Sequence, residues 1–220
     1  GYNWFQRLFE DAQNRDGWAT WTLPTSSNPL VPLSELEIAK EEVGSFLYSQ
    51  EYEAQFVEAT GGLIKPEYFK FYDDEIVREL DATGNFIDRR VLKYDKRRTY
   101  EDDTYKITTV DLAVSTKDTA DYTVICTATI TKDSDIFVED VIRDRIEAPN
   151  LIPILQSVYN KYQPSFIGIE KTGYQLAMVQ LARREGLPVK ELRADKDKVA
   201  RAYPLSAKME AGKIYFPRQK

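Results

Sequence analysis

The sequence predicts an α/β protein built on one mixed sheet, and two patterns support this. Strand-like runs at residues 106–114, 121–130 and 135–144 are joined by the short polar turns STKDTA and TKDS. Such short connections predict that the three strands pair antiparallel. The apolar run SFIGIE then follows a helical pattern, which predicts a strand parallel to an earlier one. Helices should therefore pack on the sheet.

The elements after the third strand alternate between helix and strand. PNLIPILQSVYNKY places Leu151, Leu155 and Val158 on one helical face. After SFIGIE, a helix over GYQLAMVQLARREG should end at Gly186. PVKELRA is then predicted as a strand, DKDKVARAYPLSAKMEAG as a helix and KIYFP as a short last strand.

Residues 1–62 differ in character and are predicted to be mostly helical. GYNWFQRLFEDAQNR has apolar residues at helical spacing, and WATWTLP is predicted as a short strand. Ser34 and Glu37 fit a capping box at the start of a helix. A second amphipathic helix is predicted through SFLYSQEYEAQFVEA, and Gly61 and Gly62 should end it. We therefore predict a helical segment at 1–62 and a sheet domain at 63–220.

Residues 76–98 predict a β-hairpin, because DATGN supplies turn residues between two alternating flanks. Its second arm is strongly basic and contains Arg89, Arg90, Lys93, Lys96, Arg97 and Arg98. Two interpretations stay open at this point. The arm is either a ribbon that faces phosphates or a solvated edge hairpin whose charges prevent edge pairing.

Composition restricts the chemistry. The 220 residues include no histidine and one cysteine, Cys126, which lies in an apolar run typical of a core strand. Ser-His and Cys-His nucleophile pairs are therefore excluded, and a metal site would be built from carboxylates, which suit Mg²⁺ or Mn²⁺. No apolar run approaches the roughly 18 residues of a membrane span.

Charge is distributed unevenly along the chain. The net charge is −6, yet residues 183–220 contain 11 basic and 5 acidic residues. This asymmetry fits either a polyanion partner at one face or a solvated helical face.

Two carboxylates stand out at predicted strand ends. Strand alternation places Asp111 on the face opposite Val110 and Leu112, and Glu170 follows the apolar run FIGI directly. If the two strands are neighbours, these acids converge and repel each other unless a cation lies between them. A divalent metal site is one interpretation, and a hydrogen-bonded Asp with a surface Glu is the other.

The ordered set of motifs resembles the ribonuclease H-like fold. More specifically, it resembles the nuclease domain of the large terminase subunit of tailed bacteriophages. GYNWFQRLFEDA resembles the end of that family's ATPase half, and WTLPTSSNPLVP the passage to its nuclease. VDLAVSTKDTADYTV and FIGIEKTGYQ resemble its two acidic motifs, and DKDKVARAYPLSAKMEAGKIYFP its basic segment. The resemblance covers nearly the whole chain.

The resemblance implies a DNA endonuclease that cuts concatemeric double-stranded DNA by two-metal hydrolysis, with little sequence specificity. It implies Asp111 and Glu170 as ligands of two Mg²⁺ or Mn²⁺ ions. Asp121 is either a group outside these ligands or a structural residue, and both interpretations stay open. Phosphate contacts are implied for the basic residues of the later motifs, namely Lys171, Lys196, Lys198 and Arg201. The basic hairpin adds four further DNA-binding candidates, Arg89, Arg90, Lys93 and Arg97.

The same resemblance implies a setting for the chain. The partners would be an ATPase half, a portal and a small terminase subunit, in the cytoplasm of an infected bacterium at the procapsid, with no membrane. The family's third metal acid lies in a later motif that the chain does not contain. A G-x-x-x-x-G-K-[ST] loop is also absent, so no ATPase activity is expected. The alternatives are a non-catalytic DNA-binding or assembly fragment, and another ribonuclease H-like enzyme such as a resolvase or a transposase core.

Overall fold

The computed structural model describes residues 4–57, 63–113, 122–170, 175–193 and 198–218. The helices in these ranges are α1 (Trp4–Ala12), α2 (Leu33–Glu51), α3 (Ala148–Tyr162), α4 (Gln175–Arg184) and α5 (Lys198–Glu210). The strands are β1 (Lys70–Leu80), β2 (Phe86–Tyr94), β3 (Arg97–Tyr100), β4 (Thr104–Asp111), β5 (Thr123–Thr131), β6 (Ile136–Asp144), β7 (Phe166–Glu170), β8 (Val189–Leu192) and β9 (Ile214–Pro217). None of the helices in the described residues is long and apolar enough to cross a bilayer.

The chain divides into two compact units. One spans 1–69 and 196–212, and therefore contains α1, α2 and α5. The other spans 70–195 and 213–220, and contains the sheet with α3 and α4.

The second unit has one mixed sheet with the strand order β3-β2-β1-β9-β6-β5-β4-β7-β8. Strands β4, β5 and β6 pair antiparallel, whereas β7 pairs parallel to both β4 and β8. Strand β9 lies between β6 and β1 and is parallel to both. The predicted three antiparallel strands and the parallel FIGIE strand are confirmed.

Helices α3 and α4 pack on one face of this sheet. They share one core with alternate residues of the central strands, including Val110, Ile125 and Ile169. A second cluster of Tyr72, Leu92, Tyr94, Phe137 and Tyr215 joins β1, β2, β6 and β9. By register, Phe137 of this second cluster lies on the same face of the sheet as Ile125, so both clusters belong to the face that carries α3 and α4.

The first unit corrects three details of the predicted helical segment. Residues 18–24 form no strand, and Trp21 is 73% exposed, because no neighbouring strand pairs with this stretch. Helix α2 begins at Leu33 after Pro32, so Ser34 lies inside the first turn and makes no cap. Helix α2 ends at Glu51, and Ala54 has a left-handed φ of 53° that interrupts the predicted second helix.

A sharp kink divides α2 at Gly44, where φ is 77° and ψ is 162°. A side chain there would meet Ala207 of α5, since a Cβ would lie 3.0 Å from the Ala207 Cβ. Just beyond the kink, the backbone N–H and hydroxyl of Ser45 donate to the Glu210 carboxylate at 2.8 Å and 2.6 Å. Glycine at 44 thus lets α5 approach the bend closely.

The predicted hairpin at 76–98 is confirmed and is longer than expected, since β1 begins at Lys70. Asp81 organises its tip by accepting the backbone N–H groups of Thr83 and Asn85 at 2.8 Å and 2.9 Å. A hydrogen bond from the Thr83 hydroxyl and these N–H groups lower the pKa of Asp81. The end of the predicted second arm forms the separate strand β3.

Candidate active site

Asp111 and Glu170 are the last residues of two adjacent parallel strands. The register pairs Thr109 with Gly168 and Val110 with Ile169. One further step places Asp111 beside Glu170, where neighbouring strands are about 4.8 Å apart. Because paired residues of adjacent strands point to the same face, both carboxylates project from the same side of the sheet.

That side is the one opposite the helices. Val110 and Leu112 flank Asp111 and are buried in the core under α3 and α4. Asp111 is exposed and Glu170 is half-buried. The strand alternation expected from the sequence is therefore what exposes an acid in the middle of an apolar run.

A glycine makes room beside the two acids. Gly168 lies two residues before Glu170, and a Cβ there would be 2.7 Å from Cδ1 of Leu192. Leu192 pairs with Glu170 across β7 and β8. The Leu192 side chain consequently extends over Gly168, next to the carboxylates.

The donor set fits a divalent metal. The side chain of Asp111 makes no hydrogen bond or ion pair with any residue that the structure describes, although it lies beside a second carboxylate. Oxygen ligands of this kind are those that Mg²⁺ and Mn²⁺ prefer. No group of three acidic, histidine or cysteine residues that could hold a metal occurs among the described residues.

Arg143 is a candidate that the sequence interpretation missed. The register places Asp111, Val124 and Arg143 in one row across β4, β5 and β6, so Arg143 projects from the same face as the acids. Its guanidinium lies 3.5 Å from the ring centre of Tyr122, while the residue stays exposed. The available signal was the sequence VIRDR, which puts two arginines at the end of β6.

The comparisons with known proteins agree with this architecture. The family of terminase RNase H-like domains matches residues 108–220. The chain belongs to this family. A search of curated protein sequences gives no match.

Two solved structures of one large terminase share the fold, and a third solved structure gives a weaker match. The large terminase of a thermophilic bacteriophage is 12% identical, with a TM-score of 0.61 over 98% of this chain and 49% of that chain. The complex of the same large terminase with ADP gives 11% identity, a TM-score of 0.61, and coverage of 98% and 48%. The large terminase nuclease of the thermophilic phage G20c with bound magnesium is 16% identical, with a TM-score of 0.46 over 75% of this chain and 76% of that chain.

The chain spans about half the length of the first of these large terminases. The predicted ribonuclease H-like fold and the predicted terminase family are confirmed.

The four hairpin cations predicted to bind DNA each contact a carboxylate. The shortest such contacts are 2.9 Å from Arg89 to Asp102, 2.8 Å from Arg90 to Asp74, 2.5 Å from Lys93 to Glu75, and 3.3 Å from Arg97 to Asp135. Arg90 also holds Glu139 through two bonds of 2.9 Å. Burial opposes its charge, but Glu139 and Asp74 outweigh that and raise the pKa of Arg90. Arg90 therefore has a structural role in the described hairpin.

The remaining predicted residues are placed only in part. Arg201 is exposed on α5, and Lys198 begins that helix; both belong to the unit that contains α1 and α2. Three residues, Asp121, Lys171 and Lys196, lie outside the described residues, as does the Lys198 side chain. Their roles stay predictions.

Cys126 is half-buried on β5 and lies outside the core cluster under α3 and α4. Burial, assisted by the charge of Asp140, raises the pKa of its thiol. A raised pKa leaves little thiolate at neutral pH, so this cysteine is poorly suited to act as a nucleophile.

Proposed function

We propose that the chain is the metal-dependent endonuclease part of a viral DNA-packaging motor. It would cut concatemeric double-stranded DNA with little sequence specificity. The observation that carries the proposal is the placement of Asp111 beside Glu170 on the open face of a terminase-family sheet.

In this proposal Asp111 and Glu170 hold two divalent ions, Mg²⁺ or Mn²⁺, with oxygen ligands. Two metal ions of this kind, when bound, activate a water molecule for attack on phosphorus and stabilise the departing 3′ oxygen. Asp111 and Glu170 would hold the ions at the carboxyl ends of β4 and β7. No protein nucleophile is needed, which agrees with a chain that has no histidine.

Arg143 supplies a fixed positive charge on the same face. Stacking on Tyr122 restricts its side chain, so its guanidinium is available to neutralise a phosphate of the bound strand. Further phosphate contacts are proposed for Lys171, Lys196, Lys198 and Arg201. Contacts to phosphates orient a duplex without reading its sequence.

The larger setting is proposed by analogy with the thermophilic bacteriophage large terminase of which the chain spans about half. Residues 1–62 would be the end of an ATPase half and its linker. The complete protein would work at the procapsid in the cytoplasm of the infected host, together with a portal and a small terminase subunit.

The test is cleavage of supercoiled plasmid in Mn²⁺ by the parent, Asp111→Asn and Glu170→Gln. Each substitution should abolish nicking, since each removes a metal ligand. Asp144→Asn is the matched control, because Asp144 is an exposed acid at the end of β6, on the same edge of the sheet. Equal cleavage by the parent and the two site variants would refute the proposed site.

A non-catalytic DNA-binding fragment is the second candidate function. It is favoured by the observation that no cluster of three metal-ligating residues occurs within the described ranges. DNA binding that persists in EDTA, with no cleavage in Mn²⁺ or Mg²⁺, would support this candidate. A preference for four-way junctions over linear duplex would instead indicate a resolvase.

A further inference from the structure

Five cations surround a surface cavity of about 440 Å³ at the turn between β2 and β3. We call them the turn cluster: Lys93, Lys96, Arg97, Arg98 and Arg218. Two carboxylates, Asp73 and Asp95, share the cavity, so cations outnumber acids on a chain whose net charge is −6.

Three of the five cations are already engaged. Arg97 reaches the buried Asp135 at 3.3 Å, and Arg218 donates to Asp73 at 3.0 Å. Lys93 pairs with Glu75. These contacts hold the walls of the cavity in place. The uncompensated positive charge of the cavity comes from the other two cations, Lys96 and Arg98.

Lys96 and Arg98 have no such partner. The side chain of neither residue makes an ion pair or a hydrogen bond with any residue in the described ranges, and both residues are exposed. Arg98 lies only near the ring of Tyr100, at 5.6 Å. Two neighbouring uncompensated cations on an acidic protein are suited to binding an anion.

The backbone at Lys96 provides an independent indication. Tyr94 pairs with Arg97, so Asp95 and Lys96 form a two-residue hairpin turn, with φ of 44° and 62°. Asn-Gly and Asp-Gly are preferred in such turns because both positions need a left-handed φ. Lysine is disfavoured there, and a disfavoured residue in a surface turn suggests a function that outweighs its strain.

The turn is also held firmly in place. The Tyr215 hydroxyl donates to Asp95 at 2.9 Å and accepts from Arg97 at 3.0 Å. Tyr215 itself is fully buried. A rigid turn presents its cations with little loss of conformational entropy on binding.

A second cavity adjoins the first. It has a volume of about 580 Å³ and shares Arg97 and Arg98 with the first cavity. It adds Lys132, which pairs with Asp103 at 3.6 Å, and the acid Asp133, so its uncompensated positive charge comes from the shared Arg98. Cations distributed over two adjoining shallow cavities suit an extended chain of phosphates better than one small anion.

The turn cluster is remote from the carboxylate pair. Strand β4 runs in the same direction as β6, β9 and β1, and β2 runs in the opposite direction. The carboxyl end of β2 therefore lies at the same end of the sheet as the first residue of β4. Four strands separate β2 from β4, a lateral distance of roughly 24 Å. Asp111 is the last residue of β4 and therefore lies at the opposite end of the strands.

We infer that the turn cluster is a second phosphate-binding surface, which grips the backbone of nucleic acid away from the carboxylate pair. The inference rests on the proposed function for the identity of the partner. It differs from the basic-ribbon interpretation, because Lys96 and Arg98 carry it and Arg90 does not.

Duplex binding in EDTA tests the inference without any cleavage. The full chain is titrated with a DNA duplex of about 30 base pairs, roughly three helical turns, at several salt concentrations, beside Lys96→Gly, Arg98→Gln and the double variant. Each lost phosphate contact should weaken binding and make the slope of log K against log salt shallower by about 0.9. Arg78→Gln removes the same charge from an exposed ion pair on the same hairpin, and should leave the slope unchanged.

The Lys96→Gly variant separates a binding role from a structural one. Glycine adopts a positive φ without strain, so the Tm should stay equal or rise while DNA affinity falls. Parental slopes in the variants would overturn the inference even if Asp111 and Glu170 proved essential for cleavage. Conversely, reduced slopes would sustain it even if the chain cut nothing.

Two competitors identify the ligand. The turn cluster should prefer duplex DNA to inorganic phosphate and to polyglutamate of equal charge. If inorganic phosphate alone perturbs Lys96 and Arg98, or if polyglutamate binds as tightly as DNA, the assignment to nucleic acid is wrong.

Discussion

The described part of the sheet unit has two gatherings of carboxylates, and the negative charge of each is neutralised in a different way. Asp74, Glu101 and Glu139 surround Arg90, and Glu139 is only 3% exposed. Asp111 and Glu170 lie side by side at strand ends, and Asp111 pairs with no cation of the described chain. The first group carries its own counter-charge as part of the fold. The second keeps an exposed oxygen ligand available to an ion from solution.

Breaking the first gathering should have the largest effect on stability. Arg90→Gln leaves Glu139 buried without its bidentate partner, which should lower the free energy of unfolding by about 3–5 kcal/mol. Chemical denaturation measures this loss. Arg78→Gln, which breaks an exposed pair with Asp88, should cost no more than about 1 kcal/mol. Similar losses of unfolding free energy in Arg90→Gln and Arg78→Gln would contradict this difference between a buried and an exposed ion pair.

Breaking the second gathering should affect ion binding rather than folding. Asp111→Asn should change the free energy of unfolding by no more than about 0.5 kcal/mol, since the side chain is exposed. Mn²⁺ should raise the Tm of the parent because it binds only the folded state. The variant should lose that rise. An equal Mn²⁺-dependent rise in parent and variant would place the metal elsewhere.

The spacing between the carboxylates can be altered without removing either. Gly168→Ala would push Leu192 aside, because the new methyl would lie 2.7 Å from Cδ1. We expect a loss of about 1–3 kcal/mol in stability and reduced cleavage, as Leu192 moves toward Glu170. A variant that shortens the leucine as well, Gly168→Ala with Leu192→Val, should recover part of the activity. No recovery would show that crowding is not the cause.

Glu210 is a third case, because hydrogen-bond donors rather than a cation stabilise its negative charge. Replacing it should give the smallest effect on stability. Burial raises the pKa of Glu210, but the hydrogen bonds from Ser45 outweigh it and hold the pKa below its usual 4.5. The stabilisation is therefore complete above that value and is lost as pH falls through the lowered pKa. Unfolding followed from neutral to acidic pH should show less acid sensitivity in Glu210→Gln. Equal sensitivity would mean that another carboxylate dominates.

The sequence predicted the elements of the second gathering and little of the first. Alternation around Asp111 and the strand end at Glu170 are local patterns, so their convergence followed once β4 and β7 were expected to be neighbours. The partners of Arg90 could not be found in this way, because Glu139 is 49 residues distant and lies on another strand. Arg143 was missed for a similar reason: only the register of β4, β5 and β6 places it in the row of Asp111.

Two local sequence patterns gave wrong predictions because residues outside the pattern determined the structure. Ser34 has the right spacing for a cap, but the helix already begins at Leu33, directly after Pro32. The stretch at 18–24 has strand composition but no strand beside it. The DNA-binding assignments of Arg201 and Lys198 stay predictions, as do those of the residues outside the described ranges.

Strand β3 is four residues long and forms an outer edge of the sheet. An edge strand offers unpaired backbone groups to any other edge, including that of a second copy. Arg97 and Arg98 give this edge a positive charge, so two copies repel each other there. Solubility at high protein concentration should therefore depend on the same cations, and light scattering of the Arg98→Gln protein would detect the association that they prevent.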